Sequence, residues 1–233
     1  MRHSSLPSSL CGIPLRLCVF AGDLFSMTTW FTADTHFGHA NIIKYCARPF
    51  LTPQERERAL TDARGKWRVS DDTVRRHDDG LLDAINARVE VDDILWILGD
   101  YCWGRLDEAA RYRERIACRN VHLVWGNHDH RSIEPVFSSC IEQGMLTIEG
   151  QHIWLNHYPM RSWDGRFHGR WQLYGHVHGR LVAQDESNLA MLTRDVGVDA
   201  CDYRPLSFDD LSRYMHPRIE VFDAVKASGA SVD

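Results

Sequence analysis

Three short apolar runs in this chain each stop abruptly in a small polar cluster. Trp30–Ala33 runs into Asp34-Thr-His36, Ile94–Leu98 into Gly99-Asp100, and Val121–Trp125 into Gly126-Asn127-His128-Asp129. Runs of this length bounded by polar residues read as strands. An acid or imidazole directly after such a strand sits in a loop at its carboxyl end, where open α/β sheets gather their ligands. Two further runs, Ile153–Asn156 and Gln172–Tyr174, are followed by His157 and by Gly175-His176-Val-His178.

Helical patterns fall between the strands. Thr52-Pro53 followed by Gln54 to Trp67 reads as a capped helix. Asp72 is the expected cap of a second, running through Leu81, Leu82 and Ile85 towards Val89, and Asp107–Ala117 is a third. Strands alternating with helices give an α/β class. With 233 residues, 44% hydrophobic and 25% charged, the expectation is one globular domain with a substantial core. Residues 27–223 are its expected span. Residues 1–26 read as an extension ahead of Met27: their apolar stretch resembles a signal segment but is interrupted by Arg16. Residues 224–233 read as a frayed tail.

Charge and cysteine usage exclude several partners. A net charge of −5 without a basic stripe gives no general attraction to extended nucleic acid or to an anionic membrane. A polyanionic substrate would need a local cationic site, which metal ions could supply. The seven cysteines form an odd set with no C-x-x-C pair, which argues against a disulfide framework or structural zinc and points to reduced thiols in the cytoplasm. No apolar run reaches the roughly 18 residues needed to cross a bilayer.

Taken singly, the polar clusters are weak signals: Asp34 and His36 could be a surface pair, Asn127 a turn former, Asp100 a helix cap. Their order carries the weight. D-x-H at 34–36, G-D at 99–100, G-N-H-D at 126–129, His157 and G-H-V-H at 175–178 together resemble the calcineurin-like metallophosphoesterase superfamily over about Met27 to Tyr214. The wording Phe31-Thr-Ala-Asp34-Thr-His36-Phe-Gly-His39 and Leu155-Asn-His157-Tyr-Pro159 is similar to a phage and bacterial branch of small phosphoesterases.

That resemblance implies a four-layer α/β/β/α sandwich with two mixed β-sheets and a metal site at one rim. It implies two divalent ions, one held by Asp34, His36 and His178, the other by Asn127, His157 and His176, with Asp100 bridging. Carboxylate, imidazole and amide ligands without a nearby cysteine suit manganese first, with iron, zinc, cobalt or nickel as alternatives. Ions roughly 3.5–4 Å apart share a carboxylate and a hydroxide that attacks phosphorus in line. His128 is implied to face the phosphate and assist the leaving oxygen or the transition state, with Asp129 orienting its imidazole. His39, Arg48 and Arg161 are further candidates for substrate contact, a guanidinium being suited to phosphate oxygens.

The implied reaction is hydrolysis of a phosphomonoester or phosphodiester, with a nucleotide-sized substrate favoured by the acidic net charge. Two other readings stay open: a catalytically silent scaffold of the same fold, against which the complete ligand set and His128 count, and a metal-dependent nuclease.

Overall fold

In the computed structural model, which describes residues 27–229, the first expected strand is β1 (Thr29–Thr32). The expected extension at 1–26 lies outside the described residues. Three helices follow: α1 (Ala40–Tyr45), α2 (Pro53–Asp62) and α3 (Asp71–Asn86). Next come β2 (Ile94–Ile97), α4 (Leu106–Arg113), β3 (Asn120–Val124) and β4 (Ser139–Ile141). The second half contains β5 (Gln143–Ile148), β6 (Gln151–Asn156), β7 (Trp171–Tyr174) and α5 (Val182–Ser187). It ends with β8 (Thr193–Asp195), β9 (Leu206–Ser207) and α6 (Phe208–Ala227).

These strands form two mixed sheets, in the orders β4-β3-β2-β1-β9 and β5-β6-β7-β8. In the first, β1 to β4 pair in parallel and β9 closes the edge antiparallel to β1. In the second, a β5–β6 hairpin is followed by parallel pairings of β6, β7 and β8.

The alternation of side chains along each strand assigns them to two cores. Leu95, Ile97, Val121 and Leu123 turn one way, onto Leu81, Leu82 and Ile85 of α3 and Ala109 of α4. Phe31, Trp96, Leu98 and Val124 turn the other way and meet Ile153, Leu155 and Leu173 of the second sheet. Both faces of the first sheet are therefore buried, which is why its strands read as continuous apolar runs. The α6 residues Phe208, Leu211, Met215 and Phe222 join the core between the sheets. The fold is the mixed α/β architecture with two mixed sheets and helices expected of a metallophosphoesterase. Among the described residues, no helix is long and apolar enough to cross a membrane.

Several boundaries differ from the sequence expectation for identifiable reasons. The cap of α3 is Ser70, whose hydroxyl accepts from the Thr73 N–H, leaving Asp72 inside the first turn. The second helix stops at Asp62 because its carbonyl accepts both the Gly65 N–H and the Trp67 indole N–H, folding the chain back to bury Trp67 against Ile42, Ile43 and Ala59. Helix α4 stops at Arg113, whose guanidinium binds the Ile116 and Arg119 carbonyls. The expected fraying at Ala224 does not begin there: α6 continues to Ala227, and Val225 packs on the core between the sheets. Residues 230–233 lie outside the described range.

Glu55 joins the starts of two helices. It closes a capping box with Thr52 and also accepts from the Ser70 N–H at 2.8 Å and the Thr73 hydroxyl at 2.6 Å. Burial raises its pKa, but these bonds outweigh it and bring the carboxyl down to about 2. A depressed carboxylate pKa adds stability above its unfolded value that is lost as pH falls through the folded one. Glu55→Gln should therefore cost about 1–2 kcal/mol at pH 7. Urea titrations of both proteins should show the gap closing between pH 5 and pH 2; a pH-independent gap would remove the ionised carboxylate from the argument.

Candidate metal centre

The loops that leave the strands continue the sheet's order without continuing its strands. Beyond β1 and β2 the Asp34 N–H bonds the Gly99 carbonyl, His36 bonds Asp100 and Phe37 bonds Tyr101, at 2.9–3.0 Å. Five candidate ligands on this rim hold positive φ: Asp34 at 57°, His36 at 48°, Asp100 at 55°, His176 at 70° and His178 at 51°. Non-glycine residues seldom adopt this region, and such strain gathers at functional sites where the surroundings enforce it. A Cβ at Gly99, itself at φ 89°, would collide with His157 Nδ1 and lie 2.8 Å from Gly126 Cα. The two glycines thus let the second and third loops approach each other around the Asp100 carboxylate.

Two triads emerge whose ligating atoms lie within 4.8 Å of one another: Asp34, His36 and His178, and Asp100, His157 and His176. Asp100 Oδ2 stands 3.4 Å from His36 Nε2 and 3.5 Å from His157 Nε2, so one carboxylate oxygen borders both groups. Asn127 joins the second, with Oδ1 3.2 Å from His157 Nε2. All seven residues expected as ligands are thereby brought to one rim, although they come from both sheets.

The donor set fits divalent cations. His157 Nδ1 lies 2.8 Å from the Leu98 carbonyl and donates to it, so Nε2, on the Asp100 side, is the nitrogen that would take a cation in place of its proton. His178 Nδ1 is likewise 2.8 Å from Asp199 Oδ2. His36 Nε2 is buried with no hydrogen-bond partner. A buried polar atom without a partner is costly, and a cation beside it would remove the cost.

Electrostatics separates the carboxylates. Burial pushes Asp34 up to about 7 against the pull of His178 and His157. Burial also raises Asp100, but the His157 hydrogen bond, the charges of His157 and His36 and the His128 N–H together hold it well below the usual carboxylate range. His36 is driven well below its ordinary value by burial. His178, despite burial, is raised to about 10 by Asp199, Cys46 and Asp34. A cation at His178 would have to displace that proton.

The other candidates divide. The exposed His128 brings its ring to 5.3 Å from that of His36, and its N–H donates to Asp100 Oδ1 at 2.9 Å. Asp129 does not take the orienting role expected of it. Its carboxylate accepts from the backbone N–H groups of Gly126, Asp100 and Tyr101 at 2.8–2.9 Å, locking the second loop to the third. His39 occupies the cap position of α1 without a side-chain cap bond; its ring stacks on Trp103 at 4.3 Å and lies 5.7 Å from His128. Burial lowers its pKa to about 4.

Arg48 is not available to a substrate. It is fully buried, and its five N–H donors go to Asp199 Oδ1 and Oδ2, the Thr35 and Asp34 carbonyls and His77 Nε2. Arg161 is exposed and lines a cleft with Gln172, Asp185 and Met191 that includes none of the expected ligands.

Two neighbours of the site were not anticipated. Asp199 holds both His178 and Arg48; it follows the apolar run Val196-Gly197-Val198 as Asp100 follows Leu98-Gly99, with one more residue after the glycine, and this looser pattern is the signal that could have found it. Cys46 forms a third close group with His178 and Asp199, so a thiol does lie near the site.

The fold that carries this rim is metallophosphoesterase-like, and sequence comparison agrees. The profile of the calcineurin-like phosphoesterase superfamily domain matches residues 72–193, and the chain belongs to that superfamily. It is 30% identical over 180 residues to an uncharacterized protein of Methanocaldococcus jannaschii, covering 76% of this chain and 85% of the relative. It is 24% identical to the Gene 66 protein of Mycobacterium phage D29, covering 73% and 87%. Among solved structures, a protein of unknown function from Aquifex aeolicus superposes with a TM-score of 0.57 at 22% identity, over 81% of this chain and all of that one, and shares the fold.

Arg48→Met should cost roughly 3–5 kcal/mol, because it strips the buried Asp199 of its guanidinium partner. Guanidinium unfolding measures the loss. A change below about 1 kcal/mol would mean that Arg48 does not support this rim.

Proposed function

We propose that the chain is a dinuclear metal-dependent phosphoesterase that hydrolyses a phosphomonoester or phosphodiester. The observation that carries the reading is the position of Asp100 Oδ2 between His36 Nε2 and His157 Nε2. Asp34, His36 and His178 would hold one ion, Asn127, His157 and His176 the other, and Asp100 would border both. When bound, the pair supplies positive charge for the phosphoryl oxygens and brings the pKa of water towards neutrality, with manganese the first candidate by ligand type.

The chain's own groups do the rest. Leu98 and Asp199 hold the His157 and His178 rings through Nδ1, and His157 Nε2 faces Asp100. His128, exposed beside His36, donates to the leaving oxygen or to a phosphoryl oxygen as charge builds there. His39, kept neutral by burial, offers a second imidazole beside it. The described cysteines are all free, which supports a reducing, cytoplasmic setting. The net charge of −5 supports a nucleotide-sized substrate over an extended duplex.

The test uses chelator-treated protein reloaded with manganese and assayed on p-nitrophenyl phosphate and bis-p-nitrophenyl phosphate. His128→Ala should retain metal content while turnover falls roughly 10²- to 10⁴-fold; loss of an ion with the imidazole would make His128 a ligand. Asp100→Asn should be the most damaging single change to metal stoichiometry after dialysis, since a neutral amide replaces a charge between two dications. Two ions and near-parental turnover in Asp100→Asn would refute the bridging assignment. A parent that binds metal but hydrolyses neither ester would favour the silent scaffold.

A further inference from the structure

Among the described residues, the well-formed cavities differ in how their charges are used. The first lies under α3 and α4, and its three arginines are each paired with an acid: Arg75 with Asp72, Arg111 with Glu108 and Arg115 with Asp79. The clefts on the outer side of the second sheet share Arg161 and the buried acid Asp185, whose carboxyl burial pushes up to about 6. Neither arrangement is selective for an anion.

The remaining cavity, about 370 Å³, is bordered by Tyr45, Cys46, Arg64, His178 and Arg180. His178 belongs to one of the two close ligand groups, so this cavity adjoins the proposed metal centre directly. Among the described residues, neither the Arg64 nor the Arg180 side chain has an acidic partner within 4.0 Å. Two exposed arginines without an acidic partner thus border this cavity in a chain whose net charge is −5. Like charges sharing one space repel, and an anion bound between them would relieve that repulsion while accepting charge-assisted hydrogen bonds. The volume falls in the lower part of the range for small-molecule sites. Tyr45, 45% exposed, gives the cavity a flat apolar wall.

We propose that this cavity is the subsite for the leaving portion of the substrate, and that this portion carries a phosphate of its own, held by Arg64 and Arg180. The substrate class is a small, doubly phosphorylated molecule of nucleotide size. This rests on the phosphoesterase reading, because the scissile phosphate must sit at the centre that His178 borders.

Adenosine 3′,5′-bisphosphate, which has a second phosphate, and p-nitrophenyl phosphate, which has none, are the probes. They are compared on the manganese-loaded parent, on the Arg64→Ala/Arg180→Ala double variant and on the double lysine variant. The double alanine variant should raise KM for the bisphosphate at least about 10-fold, the loss of one or two charge-assisted hydrogen bonds, while kcat and KM for p-nitrophenyl phosphate stay at parental values. The lysine variant should recover part of the loss. Calorimetric titration of the bisphosphate gives a readout independent of turnover. If the parent hydrolyses neither probe nor bis-p-nitrophenyl phosphate yet binds the bisphosphate in an arginine-dependent way, the phosphoesterase reading falls while the anion subsite stands. Unchanged bisphosphate KM and affinity in the double alanine variant, or an equal rise in KM for both probes, would overturn the subsite.

Discussion

A carboxylate buried between imidazoles that arrive from opposite sheets is costly to maintain unless every group around it is held in place. Asp100 is such a group. His36 reaches it from the loop after β1 in the first sheet, and His157 from the loop after β6 in the second. The packing of the two sheets through Phe31, Leu98, Ile153 and Leu155 therefore sets the spacing of the rim. A small slide of one sheet over the other would separate the imidazoles from the carboxylate they share. The positive φ angles at five rim residues are part of the same arrangement, since only backbones turned sharply at the strand ends direct all those side chains into one space.

Around this centre a second layer of buried polar groups connects the loops. Asp199 accepts from Arg48 and stands in contact with His178; Arg48 donates to the Asp34 and Thr35 carbonyls and reaches His77. His77 contacts Asp78, which accepts the Gly38 N–H and the Tyr112 hydroxyl. Asp129 performs the equivalent service on the other side through three backbone N–H groups. The polar interior of this protein is thus a scaffold for the rim. Arg48 illustrates the distinction: a guanidinium suited by chemistry to phosphate is here consumed by the loops that carry the ligands.

The residues gathered at the rim were legible in the chain because each lies within a few positions of the end of an apolar strand, so the local pattern marks a strand end and the residue type marks the chemistry. Strands buried on both faces made the signal stronger. Where elements are edge or mixed, the pattern faded. β5 is exposed at every second position, β8 and β9 are three and two residues long, and α6 begins immediately after β9 at a capping box, Ser207 with Asp210. The helix boundaries went astray where a single tertiary bond, such as the Trp67 indole to the Asp62 carbonyl, turned the chain before its helical pattern ended.

By itself the sequence determined the alternation of strands and helices, the two-sided burial of the central strands, and the seven residues gathered at the rim, because these depend on residue type and short-range period. Only the tertiary structure decided which polar residues gather at the rim and which become supports. Arg48, expected at the substrate, and Asp129, expected to orient His128, instead tie the loops together, and Asp199, Cys46, Arg64 and Arg180 lie near the rim. Those assignments turn on contacts between residues up to 151 positions apart, as in Arg48 with Asp199, and on whether a charge finds a partner in space. No local pattern encodes that.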